Sequence, residues 1–360
     1  MQSVRIAHIP GDGIGPELLV QVQKVAECVA KKFSLPIQIT EFPYGADYYL
    51  KSNVILPSDF AAEIEKNYQA VIMGTFGDPR IPEAHHVRGI LSKLRSTLRL
   101  TIGFQHFQVY GQWLCPREDV NSRQIDFLLL RNVREGANAA LSGIYPKAEG
   151  EEIAAYTTLY SYQGIKDFFQ AVFEIAQRYR RENIIFIENN HFNPRIVKLW
   201  RRAFQETADQ FEHINSSVKS VETCLLLLLE DPAKADMLVT NDLWGDAVSA
   251  LGIYYQGGYG LANMGELSRK GLPVFRAYQN SFPKHAGHNT ANPLGAVLAL
   301  KEILYLLEYP AASAALDQAI QKTIQEHWVT IDLNGIIGTS EVGDYICNFV
   351  EEQGTLFESG

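Results

Sequence analysis

The sequence predicts an α/β fold of two domains, and three observations support this. Strand-like runs at Val4–Ile9, Ile37–Phe42 and Ala70–Gly74 alternate with helical stretches, which is the pattern of helices packed on a largely parallel sheet. A chain of 360 residues with 46% hydrophobic content can bury a large core, divided between about two domains. The first strand runs into a glycine turn and then a helix with apolar residues at helical spacing.

The remaining elements follow from hydrophobic periodicity and from the positions of proline and glycine. Further strands are predicted at Asp126–Arg131, Ile153–Ser161, Ile184–Glu188, Met237–Thr240 and Pro273–Tyr278. Helices are predicted after Pro16 and at Gly89–Leu100, Tyr162–Tyr179, Pro194–Thr207, Val221–Leu229, Leu243–Leu251, Pro293–Leu307, Ala311–His327 and Glu341–Glu352. The sequence contains no internal repeat and no low-complexity linker.

Composition narrows the classes of function. The net charge of −9 without a Lys/Arg block argues against nucleic acid as a partner. No apolar run approaches the roughly 20 residues that span a bilayer, and the first residues lack the layout of a signal peptide. We therefore expect a cytoplasmic protein with no membrane partner. The four cysteines lack metal-binding spacing and are expected to be reduced.

The glycine turn reads Ile-Pro-Gly-Asp-Gly-Ile-Gly-Pro-Glu over Ile9–Glu17. Gly11 and Gly13, followed by Ile14, allow the backbone to approach a ligand closely, and such a turn can present free N–H groups to it. The spacing G-x-G-x-G nevertheless differs from the dinucleotide-binding pattern G-x-G-x-x-G. A tight structural turn and a ligand-binding loop are therefore both open interpretations.

Five segments give the chain a resemblance to the β-decarboxylating dehydrogenases, which include isocitrate, isopropylmalate and tartrate dehydrogenases. They are Pro10–Glu17, Leu94–Arg95, Leu128–Arg131, Thr240–Asp246 and Thr290–Pro293. The resemblance implies two domains with parallel or mixed sheets and a site in the cleft between them. Residues 1–100 with 255–360 would form a discontinuous nucleotide-binding domain, and 101–254 a substrate and dimerisation domain. It also implies a homodimer, because the family's site is completed across a two-fold axis.

The resemblance assigns substrate binding to three positions. The family binds the carboxylates of a hydroxy diacid with three arginines, since guanidinium is a planar, charged fork that matches a carboxylate. Arg95 and Arg131 match the first and third positions, whereas the middle position holds Gln105. The alternative for Arg95 is a solvated helix face shared with Arg99. The missing arginine implies a small carboxylate substrate with one fewer carboxylate, or a different pose.

The implied metal site is reduced. Family members hold Mg²⁺ or Mn²⁺ with two aspartates on one helix and a third from the partner subunit. Asp246 is retained here, the position one helical turn later is Ala250, and the partner-derived position is Glu222. Asp242 is interpreted as the N-cap of the helix Leu243–Leu251. Two carboxylates could hold a divalent ion weakly, so a catalytic Mg²⁺ or Mn²⁺ is doubted.

The family's acid–base residues, a tyrosine and a lysine, correspond to Asn138 and Asn190. Asparagine forms hydrogen bonds but cannot exchange a proton at neutral pH. A general acid or base contributes roughly 10²–10⁴-fold to a rate, so ordinary oxidation of isocitrate or isopropylmalate is not expected. His191, Tyr156 or Tyr160 could act as a surrogate, although core packing is the simpler role for each.

The adenosine loop of the family precedes the helix that starts at Asn292 and Pro293. Family enzymes that use NAD carry an acidic residue after the first proline of this loop, and NADP-using isocitrate dehydrogenases carry lysine and an aromatic. Lys284 and His285 occupy these positions, which favours NADP over NAD. The alternative is that both residues are solvated and bind nothing.

Two hypotheses follow. The first is a nicotinamide-dependent oxidoreductase with an altered active site, which acts on a small hydroxy acid in a biosynthetic pathway. The second is a non-catalytic family member that binds a ligand or a partner subunit. The nucleotide loop favours the first hypothesis, and the two asparagines favour the second.

Overall fold

The computed structural model describes residues 3–352 except 120, 122–123, 147–151, 189–192, 243 and 270, and it describes only the backbone of 137–142 and 146. The strands are β1 (Val4–Gly11), β2 (Ile37–Glu41), β3 (Ala70–Thr75), β4 (Ile102–Gln108), β5 (Asp126–Asn132), β6 (Gly136–Pro146), β7 (Glu152–Leu159), β8 (Asn183–Glu188), β9 (Asn215–Ser220), β10 (Met237–Thr240), β11 (Asn263–Leu267) and β12 (Val274–Ala277). The helices are α1 (Gly15–Phe33), α2 (Ala46–Ser52), α3 (Phe60–Asn67), α4 (His85–Thr97), α5 (Tyr162–Arg178), α6 (Pro194–Ala208), α7 (Val221–Glu230), α8 (Gly245–Gln256), α9 (Leu294–Leu306), α10 (Pro310–Gln325) and α11 (Thr339–Glu352).

Ten strands form one mixed sheet in the order β2-β1-β3-β12-β11-β4-β5-β10-β8-β9. The strands β2, β1, β3 and β12 are mutually parallel, and so are β5, β10, β8 and β9. Between these two halves the pairings β12–β11, β11–β4 and β4–β5 are antiparallel. The strand direction therefore reverses in the middle of the sheet, and the site described below lies there. The strands β6 and β7 form a separate hairpin.

The core on one face of the sheet is built around α9, which is buried from Leu294 to Leu304. This includes Lys301 and Glu302, and both charges have partners. His106 of β4 lies 2.9 Å from Glu302 through Nδ1 and 2.9 Å from Asp126 of β5 through Nε2. A buried ionic network thus ties the central strands to α9.

The predicted helices and strands are present, with ends that differ by a few residues. The largest shifts are in α4, which starts at His85 instead of Gly89, and in α8, which runs from Gly245 to Gln256. The strands β4, β6, β9 and β11 and the short helices α2 and α3 were not predicted. The division into two domains stays a prediction.

Two expectations from composition can be compared with the structure. The four cysteines, Cys28, Cys115, Cys224 and Cys347, are free, as expected. Within the described ranges, none of the helices combines the length and the apolar character needed to cross a bilayer.

Candidate functional site

The glycine turn is closed by contacts with its own protein. Gly11 and Gly13 have φ of +73° and +58°, and a Cβ on them would lie 2.1 Å from the Thr75 carbonyl oxygen and 1.9 Å from that of Ser281. The N–H of Asp12 donates to Thr75 and that of Ile14 donates to Ser281, both at 2.7 Å. These two N–H groups are therefore satisfied within the protein, which favours the interpretation of a tight structural turn, and ligand binding by Gly11 and Gly13 stays a prediction. The glycines allow close packing between backbone segments.

Asp12 fixes the turn to three other parts of the chain. Its carboxylate accepts hydrogen bonds from the backbone N–H of Ala46 at 2.6 Å and of Gly77 at 2.8 Å. Nε2 of the fully buried His86 lies 2.8 Å from the same carboxylate. Because Asp12 is itself buried, these partners replace the water it loses. The turn is thereby held in one position, which places Ile14 in the cavity described next.

A cavity of about 300 Å³ lies between the turn and the loop before α9. Its lining includes Ile14, Gly257, Gly258, Tyr259, Gly260, Gln279, Phe282, His285, Thr290, Ala291, Asn292, Ile331 and Asp332. Asn292 is buried and organises this wall: it donates to Asp332 at 3.0 Å, and its side-chain oxygen caps the start of α9 at Leu294 N–H. An apolar cavity with a few fixed polar groups is the usual form of a site for a small ligand or cofactor.

The predicted cofactor residues are only partly brought together. Ile14, His285 and Asn292 line the cavity, while Gly11 and Gly13 support the turn behind it. Lys284 lies in a short 3-10 turn, is exposed and is not part of the lining. Its ammonium is thus available to a group that extends out of the cavity, and its role in binding stays a prediction.

Arg95 is held by a carboxylate that sequence reasoning did not identify. Its Nε and Nη2 donate to the two carboxylate oxygens of Glu266, each at 2.7 Å, from α4 to β11. Burial lowers the pKa of Arg95, but Glu266 more than offsets this, so the pKa is raised. Arg95 is not on a solvated face shared with Arg99, since Arg99 pairs separately with Glu65 at the surface. Beside Arg95 is a cavity of about 290 Å³.

Arg131, at the end of β5, is buried in the middle of the sheet. Its Nη1 pairs with the exposed carboxylate of Asp246 on α8, and its Nη2 donates to the sulfur of Met264 at 3.2 Å. Arg131 follows four apolar residues of β5, which accounts for its buried position. A carboxylate ligand would have to share Arg131 with Asp246.

Gln105 lies near Arg131 on β4 and is also buried. Its side-chain nitrogen contacts the Asn263 carbonyl at 3.5 Å, and its oxygen has no hydrogen-bond partner among the described residues. A second arginine, Arg276 of β12, reaches the same region and donates to Met264 at 3.5 Å. Arg276 was missed from the sequence, although an arginine inside the apolar strand Val274–Ala277 carries the same signal that identified Arg131.

The predicted metal ligands are not assembled within one chain. Among the residues that the structure describes, no group of three His, Cys, Asp or Glu side chains could hold a metal ion. Asp246 is exposed and pairs with Arg131, and Glu222 lies on the exposed side of α7. Asp242 is not an N-cap, because α8 begins at Gly245 after Trp244. This correction follows from the later start of the helix.

The positions of the implied acid–base residues are only partly described. Asn138 lies in β6, where the structure gives the backbone alone, and Asn190 and His191 lie outside the described residues. Of the two tyrosines considered as surrogates, Tyr160 donates to Asp242 at 2.7 Å. Burial, followed by the hydrogen bond to Asp242, raises the pKa of Tyr160. Tyr160 is therefore poorly suited to release a proton at neutral pH.

Apolar side chains are exposed at two places. The hairpin β6–β7 exposes Ile144, Tyr145, Ile153, Tyr156 and Leu159, and α7 exposes Leu226 and Leu229. Exposed apolar residues grouped on one element mark an interaction surface more often than isolated ones do. A single chain leaves this surface in water.

Comparisons with known proteins match nearly the whole chain. A family model described as isocitrate/isopropylmalate dehydrogenase matches residues 5–346. The 3-isopropylmalate dehydrogenase of Thermobifida fusca is 28% identical over 355 residues, which cover 98% of this chain and 99% of that protein. The 3-isopropylmalate dehydrogenase of Mycobacterium leprae is 29% identical over 349 residues, which cover 95% and 99%.

A solved structure agrees with these matches. The crystal structure of isocitrate dehydrogenase from Methylococcus capsulatus superposes with a TM-score of 0.84 and 23% identity, covering 97% of this chain and 99% of that one. At this level of identity the likeness bears on the fold alone. The predicted fold class, an α/β fold with parallel and mixed strand pairing, is confirmed.

Proposed function

Because the chain belongs to the isocitrate/isopropylmalate dehydrogenase family, we propose that it is a nicotinamide-dependent oxidoreductase that acts on a small hydroxy acid. The observation that carries the proposal is that one segment serves both halves of the site. Arg95, Arg131 and Arg276 form an arginine cluster in the middle of the sheet, and Gln279, just beyond the strand β12 that carries Arg276, lines the cavity of about 300 Å³. A bound dinucleotide and a bound carboxylate would then meet along this segment.

The substrate's carboxylate is held by arginine side chains that the sheet already positions. Arg131 offers two donor nitrogens towards Asp246 and Met264, and Arg95 is oriented by Glu266. Fixed guanidinium groups lose little side-chain freedom on binding, which favours affinity and orientation. The dinucleotide supplies the hydride acceptor once it is bound.

We propose NADP as the preferred dinucleotide, with NAD as the alternative. Members of the family use a nicotinamide dinucleotide and a divalent metal. Lys284 supports NADP, because an exposed ammonium next to the cavity can pair with a 2′-phosphate. His285 lines the cavity beside it.

Among the described residues of one chain, no group of three His, Cys, Asp or Glu side chains could hold a divalent metal ion. Asp246 is the only predicted ligand at the arginine cluster among the described residues, and its carboxylate is paired with Arg131. Hard cations require several oxygen ligands. A divalent ion would also need the partner subunit's Glu222. The proposed mechanism therefore assigns no role to a metal ion.

Proton transfer is the step for which the chain is least equipped. With Asn138 and Asn190 at the implied acid–base positions, turnover of isocitrate, isopropylmalate and tartrate should be at least about a thousandfold below that of an ordinary family enzyme. The gain-of-function test is Asn190→Lys with Asn138→Tyr and Ala250→Asp, assayed with Mg²⁺ or Mn²⁺. Detectable turnover by this variant supports the assignment. Ordinary turnover by the unmodified protein would contradict it.

We also propose that the protein is a homodimer. The apolar side chains exposed on β6–β7 and on α7 support this, because a partner subunit would remove them from water. From composition and family membership, we further propose that the protein acts in the cytoplasm, in a biosynthetic pathway.

The second candidate function is non-catalytic ligand binding, which the two asparagines favour. Calorimetry with NADP and NAD, followed by spectroscopic detection of reduced cofactor with a series of 2-hydroxy acids, separates the two. Cofactor reduction by any of these acids identifies an enzyme. Absence of binding by either dinucleotide would leave only the second candidate.

A further inference from the structure

Three side chains form a row across the middle of the sheet. Met264 of β11 faces Arg276 of β12, and Gly265 faces Phe104 of β4, so the antiparallel register brings Met264 opposite Gln105. Residues directly opposite one another on neighbouring strands point to the same face. Gln105 and Arg276 therefore lie on one face of the sheet, on either side of Met264.

The neighbouring row brings two more arginines to this face. Arg131 is opposite Gly103, which is opposite Glu266, the partner of Arg95. The sulfur of Met264 accepts from Arg131 at 3.2 Å and from Arg276 at 3.5 Å, so one side chain bridges the two guanidinium groups. A Cβ at Gly103 would lie 2.9 Å from Cγ of Arg131, so a larger residue at this position would displace the Arg131 side chain.

The arginines of this face carry more positive charge than the described carboxylates balance, and several polar atoms beside them have no hydrogen-bond partner within the described part of the chain. Nε of Arg131, Nε of Arg276 and the side-chain oxygen of Gln105 are buried without a hydrogen-bond partner among the described residues. Gln105 is 2% exposed and Arg131 is 9% exposed. Glu266, the buried carboxylate nearby, already accepts hydrogen bonds from Nε and Nη2 of Arg95.

Arg276 is the least compensated of the three arginines. No carboxylate of the described residues forms an ion pair with it, and its guanidinium stacks over the ring of Tyr278 at 5.1 Å. Burial lowers the pKa of Arg276, and the positive charges of Arg95 and Arg131 lower it further, against the attraction of Glu266 and Tyr278. An anion bound among these groups would relieve both the desolvation and the repulsion.

We propose that Arg276 supplies the guanidinium that Gln105 lacks, so that the site binds a 2-hydroxy acid with two carboxylates. The guanidinium that the middle position lacks is thereby supplied from β12 instead of β4, on the same row and the same face of the sheet. The identity of the ligand as a hydroxy acid rests on the proposed function, whereas the anion-binding role of Arg276 rests on this geometry alone. The expectation of a substrate with one fewer carboxylate is replaced by that of a different pose.

The experiment is calorimetric titration of the full-length protein with malate, a 2-hydroxy dicarboxylate, and with lactate, its monocarboxylate counterpart. The unmodified protein should bind malate more tightly. Arg276→Met should weaken malate binding by about tenfold or more, the effect of losing a charge-assisted hydrogen bond, and should leave lactate binding within about twofold. The matched control is Arg269→Met, which removes an exposed arginine paired with Glu174 and should change neither affinity.

Two further variants keep the test decisive. Gln105→Arg added to Arg276→Met should restore malate affinity, because it returns a guanidinium to the same row. Arg276→Lys, which keeps the charge but not the fork, should give an intermediate loss even if the methionine variant folds poorly. Malate binding that is unchanged by Arg276→Met, or weakened together with lactate binding, would overturn the proposal.

Turnover is measured separately, so that the two proposals fail in different ways. Malate binding that depends on Arg276 without cofactor reduction by any hydroxy acid would remove the proposed function and leave this inference. Cofactor reduction with a KM that Arg276→Met leaves unchanged would support the proposed function and remove this inference.

Discussion

His8 tests how burial of a titrating side chain makes the stability of this protein depend on pH. It lies in β1, between β2 and β3, and is 2% exposed. Neither ring nitrogen has a hydrogen-bond partner among the described residues. Burial lowers the pKa of His8 from 6.5 to about 4. The carboxylate of Glu41 lies 3.9 Å from Nδ1, but it is more than half exposed, so its attraction is screened and does not offset burial.

The magnitude follows from proton linkage. Because the folded state resists protonation of His8, the unfolded chain binds the proton first as the pH falls below 6.5. The contribution of His8 to stability is therefore complete above pH 6.5 and is lost as the pH falls towards 4. With these pKa values the loss is about 2 kcal/mol at pH 5 and about 3 kcal/mol at pH 4.

The variant His8→Leu removes the titrating group while nearly conserving volume. At pH 8 its free energy of unfolding should lie within about 1.5 kcal/mol of the unmodified protein. At pH 5 the variant should have gained about 2 kcal/mol relative to it, because every other titrating group is shared. The measurement is urea unfolding at fixed protein concentration at both pH values. A difference between the two proteins that does not change between pH 8 and pH 5 would refute the reasoning.

Three further predictions use other parts of the molecule. Lys284→Asp should weaken NADP binding by about tenfold and leave NAD binding unchanged or tighter, measured by calorimetry with Lys234→Asp as the control; equal effects on both dinucleotides would argue against the assignment. Burial lowers the pKa of His106, but Glu302 and Asp126 more than offset this and raise it, so its contribution to stability should be present below pH 6.5 and lost as the pH rises through the raised pKa. The variant His106→Gln should lack this alkaline loss in urea unfolding, and an unchanged profile would exclude the network as its source. Light scattering at micromolar protein should give twice the chain mass of 40.4 kDa, and a monomer mass would reject the homodimer.

Much of the fold could be predicted because hydrophobic periodicity is local. Buried parallel strands such as β3 and β10 are continuous apolar runs, and α1 carries its apolar stripe in the sequence. The strands β4 and β11 were missed because they mix glycine and polar residues with apolar ones. Their strand conformation comes from pairing with neighbours in the middle of the sheet, which no local pattern records.

A residue of the candidate site could be predicted where its immediate sequence neighbours already indicate an unusual environment. Arg131 follows four apolar residues of β5, so the sequence indicates a charged side chain in a buried position, and a binding role explains such a position. Glu266 could not be found, because its role depends on Arg95 being brought to β11 by α4. The sequence left the role of the glycine turn open for a related reason: Thr75 and Ser281, which accept hydrogen bonds from the N–H groups of Asp12 and Ile14, are distant in sequence.

Binding and proton transfer differ in how easily the fold can compensate for a lost residue. Positions on one row of a sheet share a face, so a guanidinium lost at Gln105 can be replaced from Arg276 without moving the backbone. A proton carrier has no such freedom, because it must reach one atom of the substrate within hydrogen-bond distance. Tyr160, which donates a hydrogen bond to Asp242, has its pKa raised by burial and by that hydrogen bond. We therefore expect affinity for hydroxy acids to be retained in this chain while turnover is slow, and the two measurements should separate.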